Sequence, residues 1–200
     1  MSTLSLAPRR PVLADRVLPR SLAVDALLVV GGAALTALLA QVAIPLWPVP
    51  ITGQTLGVLL VGASLGATRG ALSMIVYAVA GLAGLPVYSD HTSGPAVLFG
   101  PTGGYIVGFV LAAAFTGWLA QRRLERRFLA GMLAFVAGSV VVFLVGLPWL
   151  KLSLGLTWAQ TIAAGFTPFI VGGIVKAVIA AAVLRGAWAL VDRADSSKDA

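Results

Sequence analysis

Between residues 22 and 191 the chain is a succession of long apolar runs separated by short polar, proline-rich or glycine-rich breaks. Apolar runs of this length with so little charge read as helices of a polytopic membrane protein. Residues 22 to 45 form a first span, which ends where Pro45, Pro48 and Pro50 forbid a continuous helix. A second helix starts at Thr52, a good capping residue, and runs to about 68. Arg69-Gly70 then turns the chain into a third helix over about 71 to 85. At about 1.5 Å per residue these two reach about 25 Å, short of a hydrocarbon core of about 30 Å. Their connections at 46 to 51 and 86 to 100 are therefore expected to dip into the membrane, where irregular backbone is tolerated against protein or a cavity. Further helices are expected over about 101 to 121, 128 to 147 and 167 to 191, with a short interfacial helix capped by Thr157 inside 148 to 166. The fold class is thus an all-α integral membrane protein, six transmembrane helices in a compact bundle, flanked by tails at 1 to 21 and 192 to 200.

Composition supports that class. Apolar residues make up 59% of the 200, charged ones 10%, and the mean hydropathy is +0.99. A net charge of +7 raises the question of nucleic acid, but no soluble basic face exists to hold it. The basic residues report topology instead. Arg9, Arg10, Arg16, Arg20, Arg69, Arg122, Arg123, Arg126, Arg127, Arg185, Arg193 and Lys198 fall on one side of a six-span chain, against Lys151 on the other, with Lys176 inside a span. The positive-inside rule makes both termini cytoplasmic in a multi-pass protein of the cell membrane. Residues 1 to 21 read as a polar, proline-broken tail rather than a signal peptide, since the apolar run behind them exceeds a typical h-region. The chain has no cysteine and one histidine, so thiol chemistry and a histidine metal cluster are excluded. Scattered carboxylates offer no paired acid and base, so an enzyme is not expected, nor is a cofactor.

The residues left to carry function gather toward one face. Gly94-Pro-Ala-Val-Leu-Phe-Gly-Pro-Thr-Gly-Gly-Tyr105 leads from a loop into the fourth helix, with Pro101 at its first position and Gly100 as its cap. Gly103 and Gly104 cost about 1 kcal/mol each of helix propensity, so a ligand or another helix must approach the bare backbone there. Lys176 lies eight residues after Pro168, about 12 Å into the sixth helix. An ammonium near mid-bilayer costs at least about 2.5 to 3.5 kcal/mol, and such groups usually face a polar cavity. Asp90 and His91 occupy the loop before the glycine-rich start; His91 reads as a solvated tip. Thr52, Gln54 and Tyr105 sit in first helical turns and need hydrogen-bond partners, from a neighbouring helix or from a ligand. Trp47, Tyr88 and Phe99 could stack on a ring, beside Val97, although Trp47 also suits an interfacial anchor. Helices two, four and six all begin on the outer side, so their positive dipole ends join Lys176 in favouring an anionic guest. In the first helix Ala33, Ala37 and Ala40 allow close contact, either inside the bundle or with a partner.

Four ordered stretches carry a family resemblance: Ile44-Pro-Leu-Trp-Pro-Val-Pro-Ile-Thr-Gly-Gln54, Gly84-Leu-Pro-Val87, Phe99-Gly-Pro-Thr-Gly-Gly-Tyr105 and Pro168-Phe-Ile-Val-Gly-Gly-Ile-Val-Lys176. On these the chain resembles the biotin-specific S-components (BioY) of energy-coupling factor transporters. The resemblance implies a six-helix bundle that captures biotin outside, with a transmembrane coupling subunit and two ABC-type ATPases as partners. It implies that Lys176, Asp90, Thr52, Gln54 and Tyr105 supply polar contacts, that Gly104 lets the ligand near, and that Trp47, Tyr88, Phe99 and Val97 form an apolar wall. It also favours Ala33, Ala37 and Ala40 as a docking face. One departure stands out: where the family pattern carries an aspartate three residues before the lysine, this chain has Gly173. The charge of Lys176 must then be balanced by another group, expected to be Asp90 or the ligand's carboxylate, or be reduced by a depressed pKa, while Gly53, where the family is usually larger, would widen the pocket. The competing readings are a self-sufficient secondary transporter of a small anionic metabolite and a structural or regulatory membrane protein without a ligand.

Overall fold

In the computed structural model, which describes residues 11–122 and 128–197, helices dominate and one glycine sets the first tight turn. Gly66 takes φ 85°, a left-handed setting that suits glycine, and separates α3 (Gln54–Leu65) from α4 (Ala67–Leu82). The expected turn at Arg69-Gly70 is therefore displaced, and both residues are helical. Gly70 serves packing instead: a Cβ there would stand 2.9 Å from the Gly62 Cα, so its absence lets α3 and α4 meet backbone to backbone.

Before this pair come α1 (Leu13–Val17), α2 (Leu22–Ala40) and a small antiparallel hairpin, β1 (Ala43–Ile44) with β2 (Ile51–Thr52), in the register Ala43 to Thr52 and Ile44 to Ile51. The hairpin corrects the expectation of a plain extended segment and of Thr52 as a helix start. Thr52 is a strand residue and Gly53 holds the cap position, yet the Thr52 hydroxyl still accepts the Gln54 N–H at 3.3 Å. The Trp47–Pro48 peptide is cis.

After α4 come a 3₁₀ turn (Ser89–His91), α5 (Pro95–Leu98), α6 (Gly103–Ala120), α7 (Phe128–Leu154), α8 (Trp158–Gly165) and α9 (Phe169–Ser196). Proline opens α5 at Pro95, not α6 at Pro101; Thr102 holds the α6 cap position. The anticipated cap at Thr157 is present: its hydroxyl accepts the Gln160 N–H at 3.3 Å, and the Gln160 side chain returns the bond to the Thr157 N–H at 3.0 Å. α7 runs on through Pro148 to Leu154 instead of stopping near 147, and α9 continues past 191.

α6 is the central helix, buried along most of its length and packed on α3, α4 and α7. Gly108 makes the last contact possible, since a Cβ there would come within 3.0 Å of the Val142 carbonyl. Among the described residues four helices, α2, α6, α7 and α9, are long and apolar enough to cross a membrane. α3 and α4, with 12 and 16 residues, are shorter, about 18 and 24 Å.

At one end of the bundle α1, which lies within the segment 1 to 21 read as a tail, is docked on the helices. Val12 and Ala14 are buried, and Asp15 accepts from the Arg69 guanidinium, which also reaches Asp25 at 3.1 Å. Arg20 stands 3.4 Å from Asp15, and Arg16 pairs with Asp195 of α9 at 2.5 Å. Burial acts to raise the Asp15 carboxyl, but the Arg69 bond, the Val12 N–H and the charges of Arg69 and Arg20 outweigh it, so its pKa lies below the usual 3.8. Arg9, Arg10, residues 123 to 127 and Lys198 lie outside the described residues.

Candidate functional site

At the other end, the first turns of α3, α6 and α9 converge on one chamber. Thr52, Gln54 and Thr55 come from the hairpin and α3, Thr102, Tyr105, Ile106 and Phe109 from the α6 start, Phe169 and Lys176 from α9. Val142 and Phe143 of α7 close one side; Tyr88, Ser89 and Val97 of the 83 to 102 connection close another. The cavity between these walls is about 50 Å³, well under the range of about 300 to 1,000 Å³ for small-molecule pockets, so the walls stand close and a guest must part them.

Lys176 is the chemical centre. Its Nζ donates to the Thr52 carbonyl at 2.5 Å and to Thr55 Oγ1 at 3.0 Å. An ammonium has three donors and no acceptor, so one N–H remains beyond these two bonds. Its partners are neutral oxygens, and among the described residues no carboxylate stands within ion-pair distance of it. Beside it the Thr52 hydroxyl donates to Gln54 Oε1 at 2.6 Å, and Gln54 Nε2 donates to the Tyr77 hydroxyl at 2.5 Å. Gln54 is thereby fixed in orientation with its second amide hydrogen unspent in this chain of bonds.

The rest of the chamber is an aromatic and aliphatic wall. Tyr105 stacks near Phe169 with centroids 6.4 Å apart and meets Phe143 edge-on at 6.2 Å. Its hydroxyl donates to the Gly165 carbonyl at 3.0 Å, so the ring rather than the phenol faces the cavity's interior chemistry. Tyr88 is similar: its hydroxyl donates to the Ala78 carbonyl at 2.7 Å, and its ring meets Tyr77 at 5.6 Å.

Of the residues singled out from sequence, Lys176, Thr52, Gln54, Tyr88, Val97 and Tyr105 line this chamber. Asp90 does not: it sits exposed at the tip of the 3₁₀ turn with φ 53°, and Thr52 and Thr55 stand beside Lys176 where that carboxylate was expected. Trp47 and Phe99 are 82% and 67% exposed and do not line the chamber. Gly104 is pressed against the Trp149 side chain, and Trp149 Nε1 donates to the Gly100 carbonyl at 2.9 Å; the close approach there is made by α7. Gly173 faces a separate apolar groove with Val136, Val140 and Ile170. Ala33 and Ala40 are 7% and 0% exposed, packed within their own bundle, and Ala37 is half-buried. Sequence reasoning missed Thr55, Phe143 and Phe169. Phe169 had a usable signal, seven residues and about two turns before Lys176 on the same helix face.

Fold and site together define a class: a bundle of apolar helices with a small-molecule chamber, cationic at its head and aromatic along its wall, enclosed at one end. A family model described as the BioY family matches residues 12–193, and the chain belongs to that family. It is 35% identical over 148 residues to the biotin transporter BioY2 of Lactococcus lactis subsp. cremoris, covering 74% of this chain and 81% of the relative. To the probable biotin transporter BioY of Pyrococcus horikoshii it is 38% identical over 147 residues, covering 74% and 85%. Its fold is similar to the crystal structure of the S-component for biotin from an ECF-type ABC transporter, with TM-score 0.72, 23% identity, and coverage of 84% of this chain and 93% of that one.

Proposed function

We propose that this chain is a biotin-capture subunit, the S-component of an energy-coupling factor uptake system, acting in transport and not as an enzyme. The observation that carries the reading is the Lys176 ammonium, held by two neutral oxygens at the head of an apolar chamber, in a member of a family whose curated relatives are named biotin transporters. Biotin matches that polarity. Its carboxylate or ureido oxygen would take the remaining Lys176 N–H, Gln54 would serve the ureido group, and the fused rings and alkyl chain would lie along Tyr88, Val97, Tyr105, Phe143 and Phe169.

In this reading six helices, including the shorter α3 and α4, lie within the cell membrane, with both termini cytoplasmic and the chamber near the outer face. The arginines at the α1 end support that orientation. A transmembrane coupling subunit and two ABC-type ATPases would drive release inward, docking on the exposed side of α2 where Gly31, Ala34, Leu35 and Leu38 lie open. Calorimetry with purified protein in nanodiscs tests the reading: saturable binding of one biotin per chain is expected, and no binding of biotin at millimolar concentration would overturn it.

A further inference from the structure

The connection that carries Tyr88 and Ser89 to the chamber is shaped by an amide from a different element. Gln41, just past the end of α2, donates from Nε2 to the Ala37 carbonyl at 2.9 Å and to the Tyr88 carbonyl at 3.1 Å. Its Oε1 accepts the His91 N–H at 3.0 Å. In the turn those two contacts bracket, Asp90 and the bonded His91 itself have φ of 53° and 55°, consecutive left-handed residues that are not glycine. Such backbone persists where its surroundings over-determine it, and the Gln41 amide supplies that constraint from one side. The opposite side is tied to α4, through the Tyr88 hydroxyl on the Ala78 carbonyl and the Gly94 N–H on the Gly81 carbonyl at 2.7 Å.

The chemistry required is that of a primary amide. One group must donate to a carbonyl on one flank of the turn and accept an N–H on the other, and a carboxylate can do only the second. The bond to Ala37 further fixes the side chain, because the last carbonyls of a helix lack backbone partners and this one is satisfied by the amide that reaches across.

We propose that Gln41 is a positioning residue for ligand retention, clamping the turn at 88 to 91 onto the end of α2 and so holding Tyr88 and Ser89 against the chamber. The inference rests on the biotin-binding reading for its ligand. Loss of the clamp leaves the connection hinged on α4, so bound biotin escapes faster while the helices stay folded.

The test compares the wild-type chain, Gln41→Ala and Gln41→Glu in nanodiscs, loaded with radiolabelled biotin and chased with unlabelled biotin, with amide hydrogen exchange followed at His91. Two hydrogen bonds across to the turn correspond to about tenfold faster release for Gln41→Ala, together with loss of protection at the His91 amide. Gln41→Glu keeps the acceptor for His91 but sets a carboxylate against the Tyr88 carbonyl, so it should retain His91 protection and still release biotin faster than wild type. Equal release rates in wild type and both variants overturn the inference while leaving the biotin reading intact. A wild-type chain that binds no biotin overturns that reading, and unchanged His91 exchange in Gln41→Ala then overturns the clamp as well.

Discussion

Lys176 concentrates the account at the scale of single residues. Charge-assisted hydrogen bonds contribute about 1.5 to 3 kcal/mol, so Lys176→Met is expected to weaken biotin binding by about 10- to 100-fold in calorimetry. Wild-type affinity in that variant would show that the ammonium does not meet the ligand. Thr55→Val removes one of the two oxygens that orient the ammonium and should cost about fivefold in biotin affinity by calorimetry. Lys176 was legible from the chain because a charge two turns into an apolar helix has few reasons to exist. Thr55 was not, since a threonine beside Gln54 looks like any other first-turn residue until the α9 lysine is seen to reach it. Tyr105 reads as a polar ligand contact in sequence and Tyr88 as a stacking ring; the hydroxyls of both are spent on carbonyls that only the packed bundle supplies. Asp90 was placed by its position in a suggestive loop, and the left-handed turn carries it outward instead.

At the scale of elements, the docked α1 and the break at Gly66 are the two features that tie the far end of the bundle together. The lowered Asp15 pKa has a direction for stability: the contribution is complete above the ordinary value of 3.8 and is lost as pH falls through the lower, folded value. Amide protection of residues 12 to 17, taken relative to the intrinsic exchange rate at each pH, should therefore be high at neutral pH and fall below about pH 4, while Asp15→Asn should lower it at neutral pH. An α1 equally protected in Asp15→Asn would assign the docking to Val12 and Ala14 alone. Gly66→Ala forces a Cβ into a left-handed residue and should destabilise the protein by about 1 to 2 kcal/mol in thermal unfolding. Apolar runs, the Thr157 cap and the start of α9 after Pro168 were readable because each rests on local chemistry. The turn at Gly66 was not, because Gly66 and Gly70 are equivalent on paper and only the contact with Gly62 decides which bends and which packs. The hairpin at 43 to 52 was hidden by its prolines, which mark the loop between the strands, and α1 by its charges, whose partners lie on α2, α4 and α9.

Across the whole molecule, the arginine-rich end at α1 lies opposite the end that holds the chamber. Because the chain has no cysteine, single-cysteine variants report orientation without background. A membrane-impermeant maleimide should label Thr92→Cys in intact cells and Ser197→Cys only after permeabilisation. The reverse pattern would invert the bundle and place the chamber inside. The helical class and the family were legible here because motifs at three helix starts and in the connection after α4 specify the same packing, whereas the chamber's aromatic wall emerges only when α6, α7 and α9 meet. The most direct test of the central claim is an experimental structure of the chain with biotin. The account predicts ligand density in the chamber, a polar oxygen within hydrogen-bond distance of Lys176 Nζ and the rings against Tyr105 and Phe169. Biotin bound elsewhere, with Lys176 still held only by Thr52 and Thr55, would contradict it.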